Sequence, residues 1–297
     1  MRVTVWGCRG SLASPGPETV DFGGNTSCIQ LELSDGTPVV LDAGTGIRLL
    51  GLELARLPRR PIHVILTHLH LDHLEGLGFF VPLWEPGVEI HVWGPASPVD
   101  SLEERIAKYL SPPLFPVQLA EVPSNLTFHD LPDEGFQIGS ARVLAEPVSH
   151  RGPTVGLRIE EQGRTLTYIP DHEPYLGAGP EGVDPEWLSG FSLAEGTTIL
   201  MHDAQYFEHE YPNHVGWGHS SVSHAVAFAL ASGAKRLVLF HHDPMHSDDQ
   251  LRTLEGRARA LWGPNGHGPE LAYEGMQLAL ETDVEASGPA RTEPSRG

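Results

Sequence analysis

His68-Leu69-His70-Leu71-Asp72-His73 follows directly on the apolar run Ile62-His63-Val64-Ile65-Leu66, and this stretch governs how the rest of the chain is read. The apolar run has the length and composition of a buried strand. In extended backbone, side chains repeat every second residue, so His68 and His70 share one side. Asp72 and His73 fall where the chain must turn, because Leu74–Phe80 reads as a short helix running into a loop. Being adjacent, those two side chains splay apart and are free to serve a second centre. Imidazole suits zinc, iron or copper, and a carboxylate adds a hydrogen bond or a bridge. A structural zinc is usually closed by four ligands, often with cysteine. Histidine and aspartate, with further candidates downstream, point instead to a catalytic metal site.

Composition narrows the partners. The 297 residues carry a formal net charge of −20, with 40% hydrophobic and 20% charged residues. Such a chain can bury a substantial core and presents an acidic, solvated surface. Nucleic-acid binding leaves a basic footprint, so a long polyanion is not the expected partner. A small-molecule substrate is expected, and a homodimer is left open. Cys8 and Cys28 are too few for a disulfide framework and have no zinc spacing. The N-terminus alternates like a strand rather than a signal peptide, and no run approaches the ~18 apolar residues of a membrane span. A cytoplasmic protein is the expectation.

The N-terminal half reads as strands at Arg2–Gly7, Thr26–Leu33 and Pro38–Asp42, with turns at Gly23-Gly24-Asn25 and Asp35-Gly36. Ile47, Leu50, Leu54 and Leu57 repeat with helical spacing until Pro58. After the histidine motif come a strand at Val88–Trp93, a helix at Ser101–Leu110 and a Pro-rich loop. Strands return at Ala141–Pro147, Val155–Glu160, Arg164–Ile169, Ile199–His202 and Arg236–Phe240. Helices are expected at Val222–Ala231 and Leu251–Leu261, and a closing strand at Met276–Leu280. Strands then helices, twice over, predict two sheets face to face with helices outside. One domain over residues 1–282 is expected, followed by a disordered Pro-, Ser- and Gly-rich tail at 283–297.

Three later strands end in a histidine or an aspartate. Val143–Ser149 leads to His150, Thr165–Pro170 to Asp171, and Leu237–Phe240 to His241. Side chains at strand ends project from one rim of a sheet, where a scaffold holds ligands rigidly.

This order of residues resembles the metallo-β-lactamase-fold hydrolase superfamily from about Met1 to Leu280. The resemblance implies an α/β fold of four layers, an αβ/βα sandwich, with a dinuclear site at its rim. By that resemblance one divalent ion takes His68, His70 and His150, and the other takes Asp72, His73 and His241. Asp171 bridges them, and Asp42 orients a ligand histidine from behind. Zinc is the first choice of metal, with manganese or iron as alternatives. True β-lactamases of this fold commonly have cysteine where Asp171 stands, and the oxygen-reducing diiron branch has glutamate in place of His70. Met201-His202-Asp203-Ala204-Gln205 and then Gly218-His219-Ser220-Ser221 resemble the ribonuclease Z and small phosphodiesterase branch, with Ser221 where threonine is usual. In that branch the histidine matching His219 assists phosphodiester cleavage.

The function implied is hydrolysis of a small phosphodiester, a cyclic nucleotide being one such substrate. Two nearby ions lower the pKa of a bound water and stabilise the attacking and leaving oxygens, with Asp72 or Asp171 orienting the hydroxide and His219 donating to the phosphate or the leaving alkoxide. A lactonase or thioesterase on the same centre is the alternative, since the fold hosts both, and a non-enzymatic metal module is a third reading. A tRNA 3′-end endonuclease fits less well: bacterial ribonuclease Z inserts its tRNA-gripping arm between the third histidine and the bridging aspartate, where this chain has only residues 151–170. His219 could instead merely cap the following helix. The polar, aromatic stretch Tyr206–Trp217 is expected to form a substrate-covering lid. Tyr206 and Trp217 are candidate stacking surfaces, and His242 either touches substrate or ties down its loop. His63, His91, His129, His224 and His267 show no partner pattern in the sequence.

Overall fold

In the computed structural model, residues 1–264 and 266–280 are described; the tail expected at 283–297 lies outside them. One seven-stranded sheet has the order β14-β1-β2-β3-β4-β5-β6. Its strands are β1 (Arg2–Gly7), β2 (Cys28–Glu32), β3 (Pro38–Leu41), β4 (Ile62–Ile65), β5 (Glu89–Gly94), β6 (Asn125–Asp130) and β14 (Gln277–Ala279). The second has the order β13-β12-β11-β10-β9-β8-β7. It comprises β7 (Phe136–Ile138), β8 (Ala141–Pro147), β9 (Val155–Glu161), β10 (Arg164–Ile169), β11 (Ile199–Asp203), β12 (Leu237–Phe240) and β13 (Glu270–Leu271).

Three layers of apolar side chains hold these sheets and their helices together. Val3, Ile29, Leu41 and Ile65 of the first sheet meet Leu157, Leu166, Met201 and Phe240 of the second in a shared core. The far face of the first sheet packs on α1 (Ile47–Leu54) and α2 (Leu102–Ala107). The far face of the second packs on α3 (Phe191–Ala194), α4 (Val222–Ser232) and α5 (Asp248–Trp262). The architecture is therefore the four-layer αβ/βα sandwich. Strands buried on both faces read as continuous apolar runs, as Leu237-Val238-Leu239-Phe240 does with every residue buried. Caps follow sequence chemistry: Ser101 with Glu104, and Ser247 with Gln250, form capping boxes on α2 and α5. Gly233, at φ +68°, closes α4.

Topology sets the rim. β3 and β4 run parallel in one sheet, and β10, β11 and β12 run parallel in the other. Their C-terminal ends deliver Asp42, His68, Asp171, Asp203 and His241 to the same edge of the sandwich. The Val155 N–H, donating to the Thr67 carbonyl at 3.0 Å, ties the sheets together there.

The expected helix at Leu74–Phe80 is replaced by 3₁₀ turns at Leu71–His73 and Leu77–Phe79. β6, β7, β13 and α3 were not foreseen. Three of the five histidines without a sequence partner pattern find one in each other: His63 of β4 stacks on His91 of β5 at 4.8 Å, and His91 Nδ1 meets His129 Nε2 of β6 at 2.9 Å.

A second inter-sheet tie lies at Glu161, which is buried. Its Oε1 accepts from the Ser34 N–H and hydroxyl, both at 2.9 Å, and from the Ser140 hydroxyl. Burial would raise its pKa, but these hydrogen bonds outweigh that and hold it down to about 2. Stability from Glu161 is therefore fully present above the ordinary glutamate pKa and is lost as pH falls from there toward 2. Glu161→Gln should cost about 1–3 kcal/mol at pH 7 and flatten the fall in urea midpoint between pH 5 and pH 2.5. A variant whose acid profile matches the parent's would show that Glu161 is no such tie.

Candidate metal centre

Each ligand-type side chain reaches the rim by a different local device. β4 ends at Ile65, the chain bends at Thr67 and is extended at His70, and a 3₁₀ turn at Leu71–His73 then folds Asp72 and His73 inward. Leu71 is left facing solvent. His150 sits in the connection between β8 and β9, Asp171 follows β10, and His241 follows β12. His241 and Asp42 both adopt φ +60°, an uncommon backbone for non-glycine residues. Such strain persists only where surrounding contacts over-determine it.

Four overlapping groups of ligand-type atoms form, each within 4.8 Å; two are His68, His70 and His150, and Asp72, His73, Asp171 and His241, and the other two take in His219, with His150 and Asp171 or with Asp203 and His241. In the first, the three rings lie 4.4–5.0 Å apart and His150 Nε2 is 3.2 Å from His70 Nδ1. In the second, the Nε2 atoms of His73 and His241 are 3.3 Å apart, and Asp72 Oδ2 is 3.3 Å from the former and 3.1 Å from the latter. Asp171 reaches both groups. Its Oδ1 is 3.0 Å from His73 Nε2, and its Oδ2 lies 3.7 Å from His68 Nε2 and from His150 Nε2.

Divalent cations fit this set. His68 Nε2 and Asp171 Oδ1 are buried without a hydrogen-bond partner, and unpaired buried polar atoms are costly unless something else meets them. Charge divides as coordination requires at five of the seven side chains; at His73 burial acts downward, but Asp171, Asp72 and Asp42 outweigh it and raise the pKa, so a proton there stands where a cation would bind. Burial first, then neighbouring histidines, lowers the pKa of His68, and burial lowers those of His70 and His150, leaving neutral imidazoles. For Asp72 and Asp171 burial acts upward, but His73 and His241 outweigh it and hold both well below the usual carboxylate range.

Behind these atoms lies a layer that fixes ring orientation. Asp42 Oδ2 accepts from His73 Nδ1 at 2.8 Å and from the Tyr168 hydroxyl at 2.9 Å. Its Oδ1 accepts from the Thr67 N–H at 2.7 Å, and Thr67 Oγ1 is 3.1 Å from His68 Nδ1. The Gly218 carbonyl accepts from His150 Nδ1 at 2.8 Å. Gly218 is at φ +93°, and a Cβ there would fall 2.2 Å from the same Nδ1. The Gln205 side-chain carbonyl accepts from His241 Nδ1 at 3.1 Å, and a Cβ on Gly10 would strike that ring at 2.3 Å. The Ser11 N–H donates to Asp72 Oδ2 at 2.7 Å.

His219 stands at the edge of both groups. Its ring stacks on His241 at 4.9 Å and meets the His150 ring edge-on at 5.0 Å. Nδ1 donates to Asp203 Oδ2 at 2.7 Å. Burial works against the imidazolium, but Asp203 prevails and raises the pKa to about 9. Ser221, not His219, caps α4, accepting from the His224 N–H.

Glu173 and Ser11 stand in no sequence motif, and Asp203 and Gln205 only within the segment Met201–Gln205 that resembles the phosphodiesterase branch. Glu173 is fully buried. It accepts from the Tyr211 hydroxyl (2.7 Å), the Gly216 N–H (2.9 Å) and the Gly218 N–H (2.8 Å), fastening the 206–218 loop from below. The expected lid is thus anchored on the side of the centre. Tyr206 is not an open stacking surface: it is buried, stacked on His214 at 4.2 Å. The substrate contact weighed for His242 is also corrected. Its ring is buried, with Nε2 donating to the Ala272 carbonyl at 2.8 Å, so it ties down its loop. Trp217 alone of the three is exposed, at 56%. His202 turns away and pairs with His172 at 2.9 Å.

A family model described as Beta-lactamase superfamily domain matches residues 37–242. The chain is 26% identical over 248 residues to a ribonuclease Z of Exiguobacterium sibiricum, covering 69% of this chain and 78% of that protein. Among solved structures, the metallo-beta-lactamase fold protein YhfI of Bacillus subtilis aligns at TM-score 0.67 and 18% identity, over 94% of this chain and 99% of that one. A diphosphatase from the PhnP family aligns at TM-score 0.65 and 18% identity, over 94% and 98%. At that identity the two structures speak for the fold.

Asp42→Asn tests the orienting layer. It removes the charge behind His73 and should weaken divalent-metal binding roughly 10–100-fold, read by competition with a chromophoric chelator. Unchanged affinity in a folded variant would remove Asp42 from the centre.

Proposed function

This chain belongs to the beta-lactamase superfamily, and from that premise we propose that its rim site hydrolyses small phosphodiesters, cyclic nucleotides among them. The observation that carries the reading is the Asp203–His219 pair set against Asp171. Asp203 keeps a proton on His219 at neutral pH, and His219 Nδ1 lies 3.9 Å from Asp171 Oδ2. A held imidazolium beside two carboxylates suits a reaction in which negative charge develops on phosphate oxygens and on a leaving alkoxide. Ester or lactone hydrolysis has less use for this second, protonated histidine.

His68, His70 and His150 would hold one divalent ion, and Asp72, His73 and His241 a second, with Asp171 between them. Zinc suits the imidazole and carboxylate donors. When bound, the ions supply Lewis acidity toward the phosphate and activate water at neutral pH. The remaining work falls to the chain. Asp72, steadied by the Ser11 N–H, accepts a hydrogen bond from the attacking water and orients it. His219 donates to the phosphate or the departing oxygen, and Asp203 stabilises the charge it carries. Among the described residues no helix is long and apolar enough to cross a membrane.

A tRNA-processing reading draws support from the ribonuclease Z relatives. Against it, residues 151–170 are taken up by the approach to β9, the hairpin β9–β10 and the step to Asp171, leaving no arm at that point. The net charge of −20 also opposes a long phosphate backbone.

Elemental analysis of metal-loaded protein should give two divalent ions per chain. His219→Ala should keep both and lose turnover of bis-p-nitrophenyl phosphate on the order of 100-fold. Loss of metal would make His219 a ligand; full activity would make it structural.

Precursor tRNA assayed beside bis-p-nitrophenyl phosphate and cyclic nucleotides, at matched enzyme and low salt, separates the two substrate readings. The small diesters should be cleaved and the tRNA left essentially intact. Efficient, site-specific removal of the 3′ trailer would reinstate tRNA processing.

A further inference from the structure

Acidic residues dominate this chain, and many of its arginines are paired with carboxylates, as in Arg56–Glu53, Arg158–Glu160 and Arg257–Glu208. Arg151 differs. It follows His150 in the chain and is exposed, and its Nε donates to the Gly216 carbonyl at 2.9 Å. Among the described residues no carboxylate pairs with it. Its remaining N–H groups are held in place yet unspent.

Trp217 stands beside it. The indole is exposed and is steadied by an edge contact with His214 at 4.9 Å. Arg151 and Trp217 line a common cavity of about 360 Å³, at the small end of the range for ligand sites. Both walls are continuous in the chain with residues of the centre. Arg151 continues from His150, and Trp217 precedes Gly218, whose carbonyl orients His150, and then His219. Glu173 fixes this wall by binding the N–H groups of Gly216 and Gly218.

We propose that Arg151 and Trp217 form a nucleotide subsite, with the base stacked on Trp217 and Arg151 engaging a phosphate other than the scissile one. The inference builds on the phosphodiesterase reading and names the substrate class it favours: a linear nucleoside phosphodiester bearing an additional phosphate, with cyclic nucleotides that lack one as poorer substrates. A planar guanidinium presents a fork that matches two phosphate oxygens. An aromatic face accepts any base by stacking. The scissile phosphate is met at the centre by His219 and the ligand set, so a cation beyond His150 is left for a neighbouring anion. In a chain of net charge −20, that cation also offsets the repulsion an incoming polyanion meets.

The test pairs binding with turnover. By calorimetry, the metal-loaded protein should bind adenosine 5′-monophosphate. Arg151→Ala should weaken that binding about 10-fold or more while leaving adenosine unaffected, and Arg151→Lys should restore part of it. Trp217→Ala should weaken both ligands, whereas Trp217→Phe keeps a stacking face and retains them. In turnover, the dinucleotide pApA should be preferred to ApA, and Arg151→Ala should erase that preference. Equal affinity for the monophosphate in the parent, Arg151→Ala and Trp217→Ala would overturn the subsite. Binding that responds to both variants without cleavage of any diester would support the subsite and defeat the phosphodiesterase reading instead.

Discussion

The buried carboxylate of Asp42 is the constraint on which the rim depends. It lies fully inside the sandwich and receives donors from the Thr67 backbone and hydroxyl, the His73 ring and the Tyr168 hydroxyl. A desolvated carboxylate is tolerated only when its lone pairs are met. Here the donors come from both sheets, Tyr168 lying on β10 and the others at the end of β4. The need to satisfy one charge therefore fixes the spacing of the sheets and the angle of His73 together. The φ of +60° at Asp42 is the local cost of aiming that carboxylate inward.

The same division runs through the proposed ligand set. His68, His70, Asp72 and His73 come from the first sheet, and His150, Asp171 and His241 from the second. Neither sheet holds a complete centre alone. An ion bound there would act as a cross-link between the sheets, so metal affinity and sandwich stability are linked quantities.

Much of this was legible in the sequence because strand ends advertise themselves. An apolar run stopping at a histidine or an aspartate marks a rim residue, which is how His150, Asp171 and His241 could be paired with the hexapeptide. Two-fold strand and helix grouping gave the sandwich. The edge elements were harder to see. β7 and β13 are three and two residues long, below the length at which alternation is distinguishable from a loop. The supporting layer was harder still. Gln205 and Glu173 act through side chains that fold back across long sequence separations, and no spacing rule marks such residues. Tyr206 and His242 misled for a related reason: aromatic and imidazole side chains near a site serve equally well as its packing, and only burial tells which.

Glu173 has a consequence for how such a site can change over time. By gripping the loop at Tyr211, Gly216 and Gly218, it separates fixed points from the spans between them. His209, Asn213 and Val215 are exposed on those spans, so exchanges there would leave the anchor points of Glu173 in place. The loop is in this sense divided into a few pinned points that carry its geometry and open stretches where a substitution disturbs little.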